Sequence, residues 1–162
     1  MTVALISYGS PTAITLTLAS LATASTLLTG RESTVVNSTT SLSVDYLVGG
    51  TITVSSAGAT ANTQIEVWSY GSYDGTNYSG GATGSDAALT VTNTKNQMRL
   101  LTTIPVSTTS SQAYVWGPFS VAQAYGGAPP VKWGVFVTHN TGANLNASGQ
   151  ETDYIPISYT SS

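Results

Sequence analysis

The chain has no cysteine, a single histidine, and only four Lys or Arg and seven Asp or Glu among its 162 residues. The missing cysteine removes a disulfide framework, a zinc–thiolate site and a thiol nucleophile together. A Ser-His-Asp triad would have to use His139, yet no G-x-S-x-G elbow occurs anywhere in the chain. A zinc site needs three or four clustered ligands, and the sequence offers no such cluster. His139 follows the apolar run Val131 to Thr138 and is expected to face solvent in a loop. Paired carboxylates for glycoside hydrolysis are also wanting, because Asp45, Glu66, Glu151 and Asp153 fall on separate segments. Glu66, between apolar neighbours in a strand, is expected to point outward. These absences read as a protein that is no enzyme and uses no cofactor.

Charge is the scarcest commodity. Charged residues make up 7% of the chain, against about 25% in an ordinary soluble domain. The net charge of -3 comes with no basic stripe, so nucleic acid is not an expected partner. Two windows, Met1 to Gly30 and Leu100 to Val131, contain no charged side chain at all. Thr, Ser, Pro and Gly interrupt both, which argues against a membrane span and leaves no membrane partner expected. The first window also makes a poor signal peptide, since it has no basic start and Pro11 breaks it. Both windows are therefore expected to be covered in an assembly.

What fills the chain is Thr, Ser, Gly and alternating apolar residues. Hydroxyl side chains keep a surface wetted and pair well across strands. Period-2 patterning dominates, with turn residues every ten to twenty positions. Thr12 to Leu18 sets Ile14, Leu16 and Leu18 against threonines. Ser41 to Val48 places Leu42, Val44, Tyr46 and Val48 on one face, and Gly49-Gly50 is read as a tight turn into Thr51 to Ser55. Asn62 to Tyr70 alternates Ile65 and Val67 against Glu66, Trp68 and Tyr70. Further strands are expected at Ala87 to Thr92, Met98 to Pro105, Ala113 to Val121, Val131 to Thr138 and Tyr154 to Thr160, with no convincing helix. The expected fold is all-β, an antiparallel β-sandwich of jelly-roll type; an immunoglobulin-like sandwich is the alternative. One domain is expected, with residues 1–30 as an uncharged N-terminal strand or arm and 31–162 as the sandwich. The area scaling for 16.6 kDa gives a folded surface of about 7,600 Å², which leaves enough hidden for a real core.

Two local features invite ligands. The loop Tyr73-Asp74-Gly75-Thr76-Asn77-Tyr78 is oxygen-rich, with Asp86 beyond it, but D-G-T-N also makes an ordinary turn and matches no EF-hand spacing. Trp68, Tyr70, Tyr73 and Tyr78 gather at one strand end and its loop, where exposed rings could stack on sugars. The competing expectation puts Trp68 and Trp116 in the core with the tyrosines at its rim.

Five segments carry a family resemblance. They are Thr29-Gly30-Arg31-Glu32-Ser33, Ala61-Asn62-Thr63-Gln64-Ile65-Glu66-Val67-Trp68, Tyr73-Asp74-Gly75-Thr76, Tyr114-Val115-Trp116-Gly117-Pro118-Phe119 and Lys132-Trp133-Gly134-Val135-Phe136-Val137. In combination they resemble small structural proteins of tailed-bacteriophage head modules. The resemblance implies a virion protein, a capsid cement or decoration protein on the outer capsid surface. Its implied partners are the major capsid protein and further copies of itself as a dimer or trimer, with surface glycans as an additional ligand class. A tail- or fibre-associated sandwich and a carbohydrate-binding module are the alternatives. The expected partner contacts are Ile14, Leu16 and Leu18 in the arm, with Arg31 and Glu32 anchoring its exit.

Overall fold

The computed structural model describes residues 4–40 and 43–161; the expectation for Leu42 lies outside them. In chain order the strands are β1 (Ala4–Tyr8), β2 (Thr12–Ala13), β3 (Thr29–Glu32), β4 (Val36–Asn37), β5 (Asp45–Thr53), β6 (Thr63–Ser72) and β7 (Ala87–Thr90). They continue as β8 (Arg99–Val106), β9 (Ala113–Ser120), β10 (Lys132–His139) and β11 (Glu151–Ser161). One helical turn, α1 (Val121–Ala124), follows β9. All pairings are antiparallel, and they form two sheets. One has the order β1-β11-β5-β9 with β2 also on β11, and the other β7-β3-β10-β6-β8 with β4 also on β10.

That order defines the topology. Taking β1 with β2 as the first strand and β3 with β4 as the second, and setting β7 aside, eight principal strands remain. Counted along the chain, they run 1-8-3-6 in one sheet and 2-7-4-5 in the other. This is the jelly roll, in which the chain keeps crossing between facing sheets. It is not the ABED and CFG arrangement of an immunoglobulin domain. The accessible surface is 7869 Å², close to the area expected from chain mass.

Alternation along the strands builds the core. Tyr46, Val48 and Ile52 of β5 meet Trp133, Val135 and Val137 of β10 and Ile65 and Val67 of β6. Tyr46, Trp133 and Tyr154 form a cluster across the sheets, with ring centroids 5.5, 5.7 and 5.9 Å apart. Edge-to-face contacts of this kind add to the burial of the rings themselves. A second, smaller cluster lies on the opposite face of the β6–β10 sheet. There Tyr70 and Phe136 are covered by Leu89, Val91 and Met98 from the connection between β6 and β8. Buried on both faces, β10 loses the alternation that marks a half-exposed strand.

Two expected elements differ. Gly49-Gly50 is no turn; it lies inside β5, which runs unbroken from Asp45 to Thr53 with a bulge between Val48 and Gly50. The glycines are there because neighbouring backbones approach too closely for a side chain. A Cβ on Gly50 would stand 2.0 Å from the Glu151 carbonyl oxygen, and one on Gly49 2.8 Å from that of Trp116. The segment Thr12 to Leu18 pairs as a strand only at Thr12–Ala13. Beyond that the chain leaves the ladder and drops Ile14 and Leu18 into the core.

Candidate functional site

The residues expected to contact a partner are committed to this chain. Ile14 and Leu18 are 6% and 1% exposed, inside the main core, with Leu16 packed partly against it. The backbone around them is stitched down by Ile14 N–H to Thr152 O, Thr34 N–H to Thr15 O and Ala24 N–H to His139 O. Residues 12–28 are therefore a packed segment of the sandwich, which corrects the expectation of an arm free to dock elsewhere. Arg31 and Glu32 anchor a turn of their own chain. The Arg31 guanidinium lies 2.6 Å from Asp86, and Thr17 adds two more donors to that carboxylate. The Arg31 hydrogen bond is the main reason the Asp86 pKa is lowered to about 2. Glu32 is fully buried and accepts from Thr83 N–H, Thr83 Oγ1 and Gly84 N–H.

The four aromatic residues do not make one platform. Tyr70 is fully buried and donates its hydroxyl to Ser33 O; burial pushes its pKa up. Tyr78 packs edge-on against it, with centroids 5.9 Å apart. Trp68 lies half-buried beneath the Lys95 ammonium, 4.9 Å from the ring centroid, and donates Nε1–H to Glu66. Only Tyr73 stands free, at 93% exposure. The grouping visible in the sequence belongs instead to the second apolar cluster, because the β6–β8 connection folds back over these rings. Of the competing expectation, Trp116 is in the main core, but Trp68 is half-buried against the second cluster and Tyr70 is fully buried rather than at a rim.

Two further expectations are corrected, Glu66 by the same folding-over and His139 by the segment around Leu21 that closes over the end of β10. Glu66 does not face open solvent: it pairs with Lys95 and accepts from Gln64 Nε2 and Trp68 Nε1, both at 2.9 Å. His139 is fully buried at the last pair of β10. Its Nε2–H donates to Leu21 O at 3.0 Å, and Nδ1 lies 2.9 Å from the Thr141 hydroxyl. Desolvation lowers its pKa. The oxygen-rich loop is a turn saturated by its own donors, with Ser72 Oγ, Thr76 N–H, Asn77 N–H and Asn77 Nδ2 all on Asp74. The Asn77 backbone bond leads in holding that carboxyl well below its usual range. Among the described residues no group of three or more His, Asp or Glu is placed to hold a metal ion. No helix among them is long and apolar enough to cross a membrane.

The two uncharged windows map onto sheet edges. Strand β1 closes one side of the first sheet and β9 the other, while β8 closes the second sheet on the same side as β9. The remaining edge, β7, also carries no charge, so Arg99 is the one charged side chain on any of the four. Along these edges Leu5, Ile6, Tyr8, Leu100 and Val115 are exposed, Val115 to 80%. In the β1–β11 ribbon Ile6 is paired with Tyr159 and Tyr8 with Ile157, which puts all four on one face. Beside β9 a recess of about 380 Å³ is lined by Leu47, Val115, Trp116, Pro118 and Ile155, with Glu151 and Asp153 at its margin. It exists because Gly49, Gly50 and Gly117 leave the backbone bare there. The contribution of β7 was hidden in the sequence by its charged flanks, Asp86 and Lys95.

Comparison with protein-family models, curated proteins and solved structures finds no match for this chain. The resemblance to phage head proteins gains no support from it.

Proposed function

We propose that the chain is a non-enzymatic structural protein that works by lateral association, as a capsid cement or decoration protein on a phage-type shell. The observation that carries the association is the unprotected sheet edge. Folded proteins ordinarily blunt edge strands with Lys, Glu or Pro, because unpaired N–H and C=O groups invite another strand. Here β1, β7 and β9 carry no charge, and β1 and β7 carry no proline either, whereas Pro105 of β8 and Pro118 of β9 each blunt part of their strand. Exposed Val115 next to an apolar recess gives a neighbour's side chain somewhere to insert. Contacts of this type bury area without ion pairs, so added salt weakens them little.

The position on a virion rests on the sequence resemblance and on the use of jelly rolls in viral shells, which is an analogy of fold. The proposed partner is the major capsid protein, with the chain spanning the joints between its subunits. Gradient-purified particles from the source cell, imaged by electron microscopy with an epitope-tagged chain, test it. Density for the tag at regular sites on the shell is the expected result. Density on the tail alone moves the protein to a tail or fibre role, and particles lacking the chain overturn the proposal.

A further inference from the structure

A second concavity, of about 540 Å³, lies where the loop after β6, the start of β8 and the connection from α1 to β10 meet. Its walls are flat and mostly apolar: Tyr73, Tyr125, Pro129 and Pro130. Gly71 makes the cleft narrow at its base, since a Cβ there would stand 2.7 Å from the Pro130 ring and 3.0 Å from the Tyr125 hydroxyl. Three polar side chains also line it, Ser79, Gln97 and Arg99, of which Ser79 Oγ already accepts from Gly71 N–H at 3.0 Å. Gln97 uses its carbonyl oxygen to accept from Gly80 N–H at 3.2 Å, which leaves the amide protons as donors.

Arg99 is the unusual member. Arg31 and Lys95 each sit on a carboxylate, whereas Arg99, like Lys132, has none among the described residues, and it rests over the Tyr125 ring, 5.8 Å from its centroid. In a chain with so few charges, an arginine held on an aromatic face at a cleft mouth is a prepared anion site. Tyr73, 93% exposed, offers a ring with nothing on it. An apolar ring face beside a guanidinium and an amide donor matches a pyranose carrying a carboxylate. The apolar face of the sugar would lie on tyrosine and the carboxylate would take the guanidinium fork.

We infer that the cleft formed by Tyr73, Gln97, Arg99, Tyr125, Pro129 and Pro130 binds an acidic saccharide of the uronate or sialate class. A nucleotide is a poorer match, because one cation with a net charge of -3 does little for a phosphate chain. This site is remote in sequence from the uncharged β1 edge and does not depend on the assembly role, so either can fail alone.

The test is a titration of the full chain by ¹H–¹⁵N NMR with four probes: tetragalacturonate, 3′-sialyllactose, maltotetraose and adenosine monophosphate. Shifts confined to Tyr73, Gln97, Arg99 and residues 125–131 with either acidic sugar, and weak or none with maltotetraose, are expected. R99Q should weaken the acidic sugar about tenfold, the loss of one charge-assisted fork, and Y73A by a similar factor. Y159A, in the distant ribbon, should leave it unchanged. Each variant's melting temperature establishes that it is folded, and R99K, which keeps the charge but lacks the guanidinium fork, serves as a second variant with weakened acidic-sugar binding should R99Q unfold. Equal binding of neutral and acidic sugars, preference for the nucleotide, undiminished binding by R99Q, or no shifts with either acidic sugar would each overturn the inference.

Discussion

If residues 12–28 are structural, truncating Leu18 to alanine must destabilise the monomer as a core mutation does. Leu18 is 1% exposed within the main cluster. Leu→Ala removes three carbons, worth roughly 0.8 kcal/mol each on transfer, or about 2.4 kcal/mol together. Incomplete relaxation leaves a cavity that brings the total to about 3 kcal/mol. For a chain of this length, 1 kcal/mol moves the melting temperature by about 2–4 °C, so Leu18→Ala should melt about 6–12 °C lower. Leu16, half-buried at the edge of the same cluster, is the internal comparison and should lose about 1 kcal/mol. Urea unfolding followed by tryptophan fluorescence gives both values, with unchanged m confirming that the unfolded states are comparable. A Leu18→Ala loss under about 1 kcal/mol would mean that this segment is an appendage after all.

Stability should fall between about pH 7 and pH 5. Burial holds the pKa of folded His139 below its ordinary 6.5, so as pH drops the unfolded chain takes up the proton first and gains the advantage. His139→Gln should flatten that slope, and a wild-type urea midpoint equal at the two pH values would contradict it. Glu32→Gln should cost about 2–3 kcal/mol, because an amide NH₂ would be turned against buried backbone donors at Thr83 and Gly84; an unchanged midpoint would remove Glu32 as the anchor of that turn. Asp45→Ala should cost about 2 kcal/mol through loss of its bonds to Ser120 Oγ and Ala122 N–H, and thermal unfolding measures it. Val115→Lys, at a residue of β9 that is 80% exposed, should change monomer stability by less than about 0.5 kcal/mol. The same substitution should abolish retention on particles, and retention at wild-type occupancy would separate β9 from the proposed association.

The strands and their sandwich were legible because alternation is a direct image of a half-buried sheet. Ile65 and Val67 against Glu66 and Trp68, or Tyr46 and Val48 in β5, point inward as their period requires. Legibility stopped where a second layer was added. The β6–β8 connection converts the outward face of β6 into an inner one, so Tyr70, Trp68 and Glu66 are buried or half-buried although the alternation sets them opposite the inward Ile65 and Val67. Nothing in a local window announces that a segment about twenty to thirty residues further along the chain will return to cover it. Gly49-Gly50 failed for a related reason: a turn and a close backbone approach both require glycine, and only the partner strands distinguish them. For the cleft, Tyr73 was identified from its place in the loop. Arg99, Gln97 and Tyr125 come from distant segments and carried no joint signal.

The scarcity of charge is sharpened by where the charges go. Arg31 with Asp86, Glu32 with the turn at Thr83, Lys95 with Glu66, Asp45 with the start of α1, and Asp74 within its own turn all fasten loops to the sandwich. Only Arg99, Lys132, Glu151 and Asp153 have no such hydrogen bond or ion pair among the described residues. In most soluble domains charged residues keep surfaces apart and loops are held by packing. Here the roles are exchanged, and apart from Arg99 on β8 hydroxyls keep the edges hydrated. Such an edge separates easily from water when a complementary strand or apolar side chain approaches, since no ammonium or carboxylate has to be desolvated. A freely diffusing monomer gains nothing from that property and risks aggregation by it. A protein fixed among many neighbours gains a contact that ionic strength does not loosen.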